Sequence, residues 1–360
     1  MNSNQRIGFC GDVMLARGFL KAQKSRAIDS VLSNDILRSF SNVDYVIANL
    51  ESPISSGNEK VGDFFLPFEH AELLKHFDYL SLANNHIFDC GETGLVETID
   101  TLNALNVGFT GVYSRSKDSF YPTVITSTAG NISLVGCIED SLYPELAETS
   151  FSILKLSDLL NSMLLDELEK REDIIANVVL LHAGKEFTPF PPRKLVESAR
   201  QLLIKGADLV MISHSHFASG FERFAENGMI FYGLGDFIFD VPVSGRKTSI
   251  VPIFEISKNE LSFSEIIFTK KSSDLTVNLV EDKKEIRKLN HKIENYSTFI
   301  SKNPGDLRIK VISQLYVLNY QISRVIWMIR SEGLRTTFTF LLDVLKRLVR
   351  KAFKHLRGKE

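Results

Sequence analysis

An α/β fold is what this 360-residue sequence predicts, and three observations lead there. Short apolar, β-rich runs alternate with helix-like stretches up to about residue 250, the pattern of strands joined by helical crossovers. The runs lie at Ile7 to Cys10, Tyr45 to Asn49, Tyr79 to Ala83, Val107 to Gly111, Ile132 to Ile138, Val178 to Leu181, Asp208 to Ser213 and Met229 to Gly233. Amphipathic helix candidates stand between them, among them Thr93 to Asn106 and Pro192 to Lys205; prolines open the second and Gly206 closes it. Finally, Ile250 to Ile256 and Leu261 to Thr269 follow each other closely and read as an antiparallel pair that closes the sheet system.

After Lys270 the character changes. Lys271 to Lys288 is polar and charged, and the remainder is helical in pattern, with a break at Pro304-Gly305. The expected organisation is one unit over residues 1–275 and a helical extension over 276–360. With 44% hydrophobic and 10% aromatic residues the chain can bury a large core, which excludes a disordered protein. A formal net charge of -2 argues against a nucleic-acid footprint spread over the surface, so no nucleic-acid partner is expected. Cys10, Cys90 and Cys137 are few, odd in number and free of CxxC spacing, which indicates neither a disulfide framework nor a thiolate zinc site. Met1 to Arg6 is polar and no run of about 18 apolar residues follows it, so the expected location is cytoplasmic.

The chemistry stands at the ends of the strand-like runs. Ile7 to Cys10 delivers Asp12, Tyr45 to Asn49 delivers Glu51, and Tyr79 to Ala83 delivers Asn84, Asn85 and His86. Val178 to Leu181 delivers His182, and Asp208 to Ser213 delivers His214 and His216. In open α/β sheets the carboxyl edge of the strands is where ligands bind, so these groups can converge despite their separation in sequence. Taken singly, each has an ordinary reading: Asp12 as a helix cap, Glu51 as a solvated loop acid, a histidine as a satisfied structural residue. Together they do not, because four of only eight histidines occupy such positions.

Imidazole nitrogens with carboxylate and amide oxygens, and no thiolate, suit Mn, Fe or Zn. Asp12, Glu51, Asn85, His182, His214 and His216 exceed what one tetrahedral zinc needs and are enough for a two-metal centre. Two ions about 4 Å apart can activate a water and stabilise the leaving oxygen of a phosphate ester.

These residues sit in motifs that resemble, in order, those of the CapA family of capsule and poly-γ-glutamate synthesis proteins. The motifs are Gly11 to Leu15, Asn49 to Pro53, Ala83 to His86 with Asp89 and Gly91, Thr98 to Gly111, His182 to Glu186, Gly206 to Val210 with Ser213 to His216, and Tyr232 to Phe237. The resemblance implies a calcineurin-like metallophosphoesterase β-sandwich flanked by helices, with two divalent metals. It implies Asp12, Glu51, Asn85, His182, His214 and His216 as ligands and His86 as the group that protonates a leaving oxygen or grips phosphate. Asn49, Asn84, Asp89, Glu186 and Asp236 are expected to support the site or touch substrate, Glu186 by orienting an imidazole.

The sequence also departs from the pattern. Met14 stands where phosphoesterases place a histidine, as is usual in CapA proteins, and this removes one ligand; Ala183 replaces a common Trp, and Asp236 a common Asn. Members of the family often carry an N-terminal membrane anchor, which Met1 to Arg6 is not. Two functions follow: a metal-dependent phosphoester hydrolase in surface-polymer production, or a non-catalytic assembly protein that docks a polymer synthase at the membrane. Cys10 and Cys90 neighbour the motifs and are expected to be buried small hydrophobes. Phe187 and Phe190 form either a lip over the site or ordinary loop packing. From Leu334 to Arg357 apolar residues at helical spacing alternate with Lys346, Arg347, Arg350, Lys351, Lys354 and Arg357. That pattern fits either a helix on an anionic membrane surface or one packed on the protein.

Overall fold

The computed structural model describes residues 5–16, 28–56, 64–116, 120–144, 149–224, 228–240, 246–258, 260–302, 307–330 and 337. The strands are β1 Gln5–Val13, β2 Tyr45–Leu50, β3 Tyr79–Ser81, β4 Gly108–Thr110, β5 Val112–Ser114, β6 Thr123–Ile125, β7 Asn131–Ile138 and β8 Phe151–Ile153. They continue with β9 Ile174–His182, β10 Leu209–Ser213, β11 Phe221–Phe224, β12 Gly228–Phe231, β13 Asp236–Ile238, β14 Thr248–Ser257, β15 Glu260–Lys271 and β16 Val277–Leu279. Every strand-like run read from the sequence overlaps one of these. The short strands β5, β6, β8, β11, β13 and β16 carry too few residues to show a period and were not anticipated.

Among the described residues the strands form two principal sheets. One runs β16-β15-β14-β1-β2-β3-β4 with β13 beside β1, the other β11-β12-β10-β9-β7-β6; β5 and β8 pair separately. The anticipated hairpin is β14 and β15, antiparallel and continuous from Thr248↔Lys270 to Ser257↔Glu260. Side chains alternate across each strand, and this divides the core into layers. Ile7, Phe9 and Ile47 of the first sheet share one buried cluster with Leu134, Val178, Leu180, Leu209 and Met211 of the second, so the sheets pack face to face. On the outer side of the second sheet, Val179, Leu181, Val210 and Ile212 meet Leu195, Val196, Ala199 and Leu202 of the helix Arg193–Ile204. On the outer side of the first, Cys10, Val46 and Ala48 meet Leu95 and Leu102 of the helix Gly91–Leu105 and Ile36 and Phe40 of the helix Asn34–Phe40. The α/β sandwich flanked by helices is therefore present. Strands covered on both faces explain why the sequence shows unbroken apolar runs rather than alternation.

The helix Lys283–Ser301 rests on the sandwich through Ile293, Tyr296 and Ile300, with Gly220 so close that a Cβ there would meet Ser297 N at 2.4 Å. A further helix covers residues 307–330. Phe190 wedges between them, its ring 5.2 Å from Tyr296 and 5.6 Å from Tyr316. The basic segment from Leu334 to Arg357 lies outside the described residues except for Thr337. Among the described residues no helix is long and apolar enough to cross a membrane.

Candidate metal centre

Parallel pairing brings the strand ends to one edge. Asp12 is level with Asn49 of β2 and with Asp236 of β13, and His182 is level with Ser213 at the end of β10. Glu51 follows β2, Asn84 to His86 follow β3, and His214 and His216 follow β10. The turn after β10 is strained: His214 has φ 91° and His216 φ 62°, conformations that side chains other than glycine adopt at a cost of about 1–3 kcal/mol. Burial of Phe217, Ala218 and Ser219 immediately after the turn holds it in that shape.

Two groups of donors result. In the first, His182 Nε2 lies 2.7 Å from Asn85 Oδ1, 3.1 Å from His214 Nδ1 and 3.8 Å from Glu51 Oε1. In the second, His216 Nδ1 lies 2.9 Å from Asp236 Oδ1 and 3.5 Å from Asp12 Oδ2. The triads Glu51, His182, His214 and Asp12, His216, Asp236 are fully buried, and each offers ligand atoms within 4.8 Å of one another. Asp12 joins the groups, since its Oδ2 also accepts from the backbone N–H of His214 at 3.3 Å.

Electrostatics differ between the two. Burial drives His182 well below the usual imidazole range, helped by His214, His86 and His216; burial and the same repulsion pull His214 down to about 3. Both rings are therefore neutral, with lone pairs available. Burial, then repulsion from Asp12, raises Glu51 well above the carboxylate range, and its Oε2 is buried with no hydrogen-bond partner. His216 goes the other way: burial and Arg246 oppose its protonation, but Asp236, Glu51 and Asp12 outweigh them and raise it well above the usual range. Burial likewise opposes ionisation of Asp236, yet Arg246, Lys271 and His216 hold its carboxyl far below normal.

A divalent cation fits this environment. Two neutral imidazole nitrogens, an amide oxygen and a carboxyl group with an orphaned oxygen converge in a buried space, and a buried polar atom without a partner is costly. Both groups have the mixture of ligand types that binds first-row divalent metals.

The remaining expected residues sit around these. Asn49 donates to Asp12 Oδ1 at 2.8 Å, and Asn84 donates to Leu50 O at 2.8 Å and Asn49 Oδ1 at 3.2 Å, so both brace the carboxylate loops. His86 stands at the rim, its Nδ1 2.8 Å from Asp89 Oδ2 and its ring stacked on Phe64 with centroids 4.3 Å apart. Glu186 is half exposed, and the imidazole it approaches is that of His216, at 4.0 Å. Asp236 stands within the second donor group itself, closer in than a supporting residue. Phe187 is the lip, stacked on His216 at 5.6 Å, whereas Phe190 serves helix packing. Met14 is buried beside Ala16 and Phe239. Cys10 and Cys90 are buried thiols outside any disulfide.

Sequence reasoning missed three residues. Arg246 donates from Nε to Asp236 Oδ2 at 2.6 Å and from Nη1 to Tyr320 OH at 3.1 Å, and Lys271 Nζ lies 3.4 Å from the same carboxylate. Tyr320, from the helix of residues 307–330, stacks on Phe187 with ring centroids 3.9 Å apart. No periodicity or motif marks them; a cation near the start of β14 and another at the end of β15 read as surface charges until the fold places them.

The family model for the bacterial capsule synthesis protein PGA_cap matches residues 6–241. The PGA biosynthesis protein CapA of Bacillus subtilis is 27% identical over 268 residues, covering 70% of this chain and 67% of that protein. The capsule biosynthesis protein CapA of Bacillus anthracis is 23% identical over 326 residues, covering 86% of this chain and 78% of that protein. Among solved structures, a phosphatase from Mycoplasma pneumoniae superposes with a TM-score of 0.47 at 13% identity, covering 80% of this chain and 98% of that one.

Proposed function

The chain belongs to the PGA_cap family of bacterial capsule synthesis proteins, and from that premise we propose that it is a divalent-metal-dependent phosphoester hydrolase serving production of a capsule or poly-γ-glutamate-type polymer. The observation that carries this reading is the convergence of two adjoining buried donor groups from the ends of separate strands. Glu51, Asn85, His182 and His214 would hold one ion, and Asp12, His216 and Asp236 the other. Mn, Fe or Zn suits the first set; the second, with two carboxylates to one imidazole, is the harder. When bound, such ions supply polarisation of a phosphoryl oxygen and a water acidified toward neutrality.

The chain's own residues do the rest. Asp89 engages His86 Nδ1 and Phe64 stacks on its ring, which orients Nε2 to give a proton to a leaving oxygen or to grip phosphate. Asn49 and Asn84 hold the Asp12 and Glu51 loops in register. Arg246 and Lys271 keep Asp236 ionised. Phe187 and Tyr320 wall the His216 side and exclude water.

The test is metal analysis of protein supplied with Mn, Fe or Zn, followed by turnover of an activated phosphodiester. Protein that binds none of the three stoichiometrically ends the proposal. One observation favours the second reading, assembly without catalysis: Met14 is a fully buried thioether at the position where phosphoesterases place a histidine. Bound metal without turnover of any ester decides for it. In that second reading the protein would dock a polymer synthase at the membrane.

A further inference from the structure

The helix of residues 307–330 has two apolar faces. One packs inward through Ile309, Tyr316 and Tyr320. On the opposite side, Leu307, Val311, Leu315, Leu318, Ile322, Ile326 and Ile329 are all exposed, from 37% at Ile329 to 76% at Leu307. At 3.6 residues per turn these seven fall within an arc of about 100°, a continuous stripe along the whole helix. The other large exposed hydrophobics among the described residues, such as Tyr121 and Ile204, are scattered singly and need no explanation. A stripe of this length on a water-facing helix does.

Charge says what covers it. The only charged residues of 307–330 are Arg308, Lys310, Arg324 and Arg330, all cationic. By helical position Arg308 and Arg330 flank the stripe on one side and Lys310 and Arg324 on the other. A second copy of the same face would bring like charges together along both edges. An anionic surface is complementary to both edges at once, and the helix fails the criterion for a membrane span, so it would lie in the plane of the surface. We propose that this outward face docks the protein on an anionic lipid bilayer. The inference does not depend on whether the site hydrolyses anything. It differs from the reading of Leu334 to Arg357, because it places the contact on the helix whose inward face supplies Tyr320 to the wall of the site.

Co-sedimentation of the full chain with vesicles of equal phosphatidylglycerol and phosphatidylcholine tests it, with pure phosphatidylcholine as control. Binding is expected only to the anionic vesicles and is expected to fall at high salt, as charges beyond about 10 Å are screened. Leu315→Glu with Ile322→Glu, both exposed, should weaken binding at least about tenfold at unchanged melting temperature, since each replaces an apolar contact by a like charge. Undiminished binding by a folded double variant overturns the proposal and leaves the docking to another segment. A wild type that ignores vesicles but dimerises, and is made monomeric by the double variant, overturns it in favour of a second copy. Should the double variant misfold, a polarity-sensitive dye on Leu318→Cys decides: the native thiols are buried, so labelling is selective. A blue shift with anionic vesicles is expected, and an unchanged spectrum refutes the docking.

Discussion

His216 Nδ1 lies 2.9 Å from one oxygen of Asp236, and the other oxygen of that carboxylate accepts from Arg246 Nε at 2.6 Å. Asp236 thus stands between a donor group and a buried cation pair. Arg246 and Lys271 hold it ionised, and a carboxylate kept charged without water is suited to a metal. Pairing of β13 with β1 sets Asp236 level with Asp12, so β13 supplies the third side chain of the second donor group.

Asp236→Asn tests this. The amide keeps the shape and a hydrogen bond but removes the charge, so affinity at the second group should fall roughly 10- to 100-fold while the first group keeps its ion. Titration calorimetry with Mn and with Zn reports the two sites. Unchanged affinity and stoichiometry at both would remove Asp236 from the ligand set.

Metal loading should depend on pH in a definite direction. His216 is raised, so in metal-free protein at pH 7 it carries a proton that a metal must displace; loading of its group should release a proton and strengthen as pH rises. His214, near 3, and His182 are already neutral at pH 7, so neither ring of their group releases a proton on loading; the proton that group gives up is that of Glu51, which burial and Asp12 raise. The ion pair of His216 stabilises the metal-free fold fully below about pH 6.5 and is lost as pH climbs through the raised value. Calorimetry in buffers of different ionisation enthalpy counts the protons; none released, or affinity falling with pH, contradicts the assignment.

His86→Ala separates chemistry from metal holding. Metal content should remain near that of wild type, because His86 belongs to neither donor group, while turnover of an activated phosphodiester should fall roughly 10²-fold, as for loss of a general acid. Full activity would exclude His86 from the mechanism.

Gly11 reports on how the first sheet positions the site. A Cβ there would stand 1.8 Å from Gly235 O, the acceptor of the Asp12 backbone N–H at 3.0 Å. Gly11→Ala must push β1 and β13 apart and carry Asp12 away from Asp236. Both metal affinity and melting temperature should drop; a variant that retains both would mean that the strand ends relax freely.

Phe237 tests the core behind the site. It is fully buried, stacked on Phe40 at 5.7 Å and edge-on to Phe77 at 6.0 Å. Phe237→Ala should cost about 3–5 kcal/mol in urea unfolding. A loss under about 1 kcal/mol would mean that the neighbouring rings collapse into the space.

Much of this protein was legible in one dimension. Buried parallel strands write continuous apolar runs, so β1, β2, β3, β9 and β10 could be read directly, and Asp12, Glu51, Asn85, His182, His214 and His216 stand at their ends, where such sheets bind ligands. The local chain determines both facts, because strand burial and strand termination are properties of consecutive residues. The grouping of those residues into two sets, the entry of Asp236 into one of them, and the support of Arg246, Lys271 and Tyr320 belong to the tertiary structure alone. Asp12 and Asp236 are brought level by the pairing of β1 with β13, and Tyr320 reaches Arg246 only because a distant helix folds back over the sandwich. No sequence period encodes such contacts. They arise when burial strips water from isolated charges and leaves each one stable only beside the partner that packing brings to it.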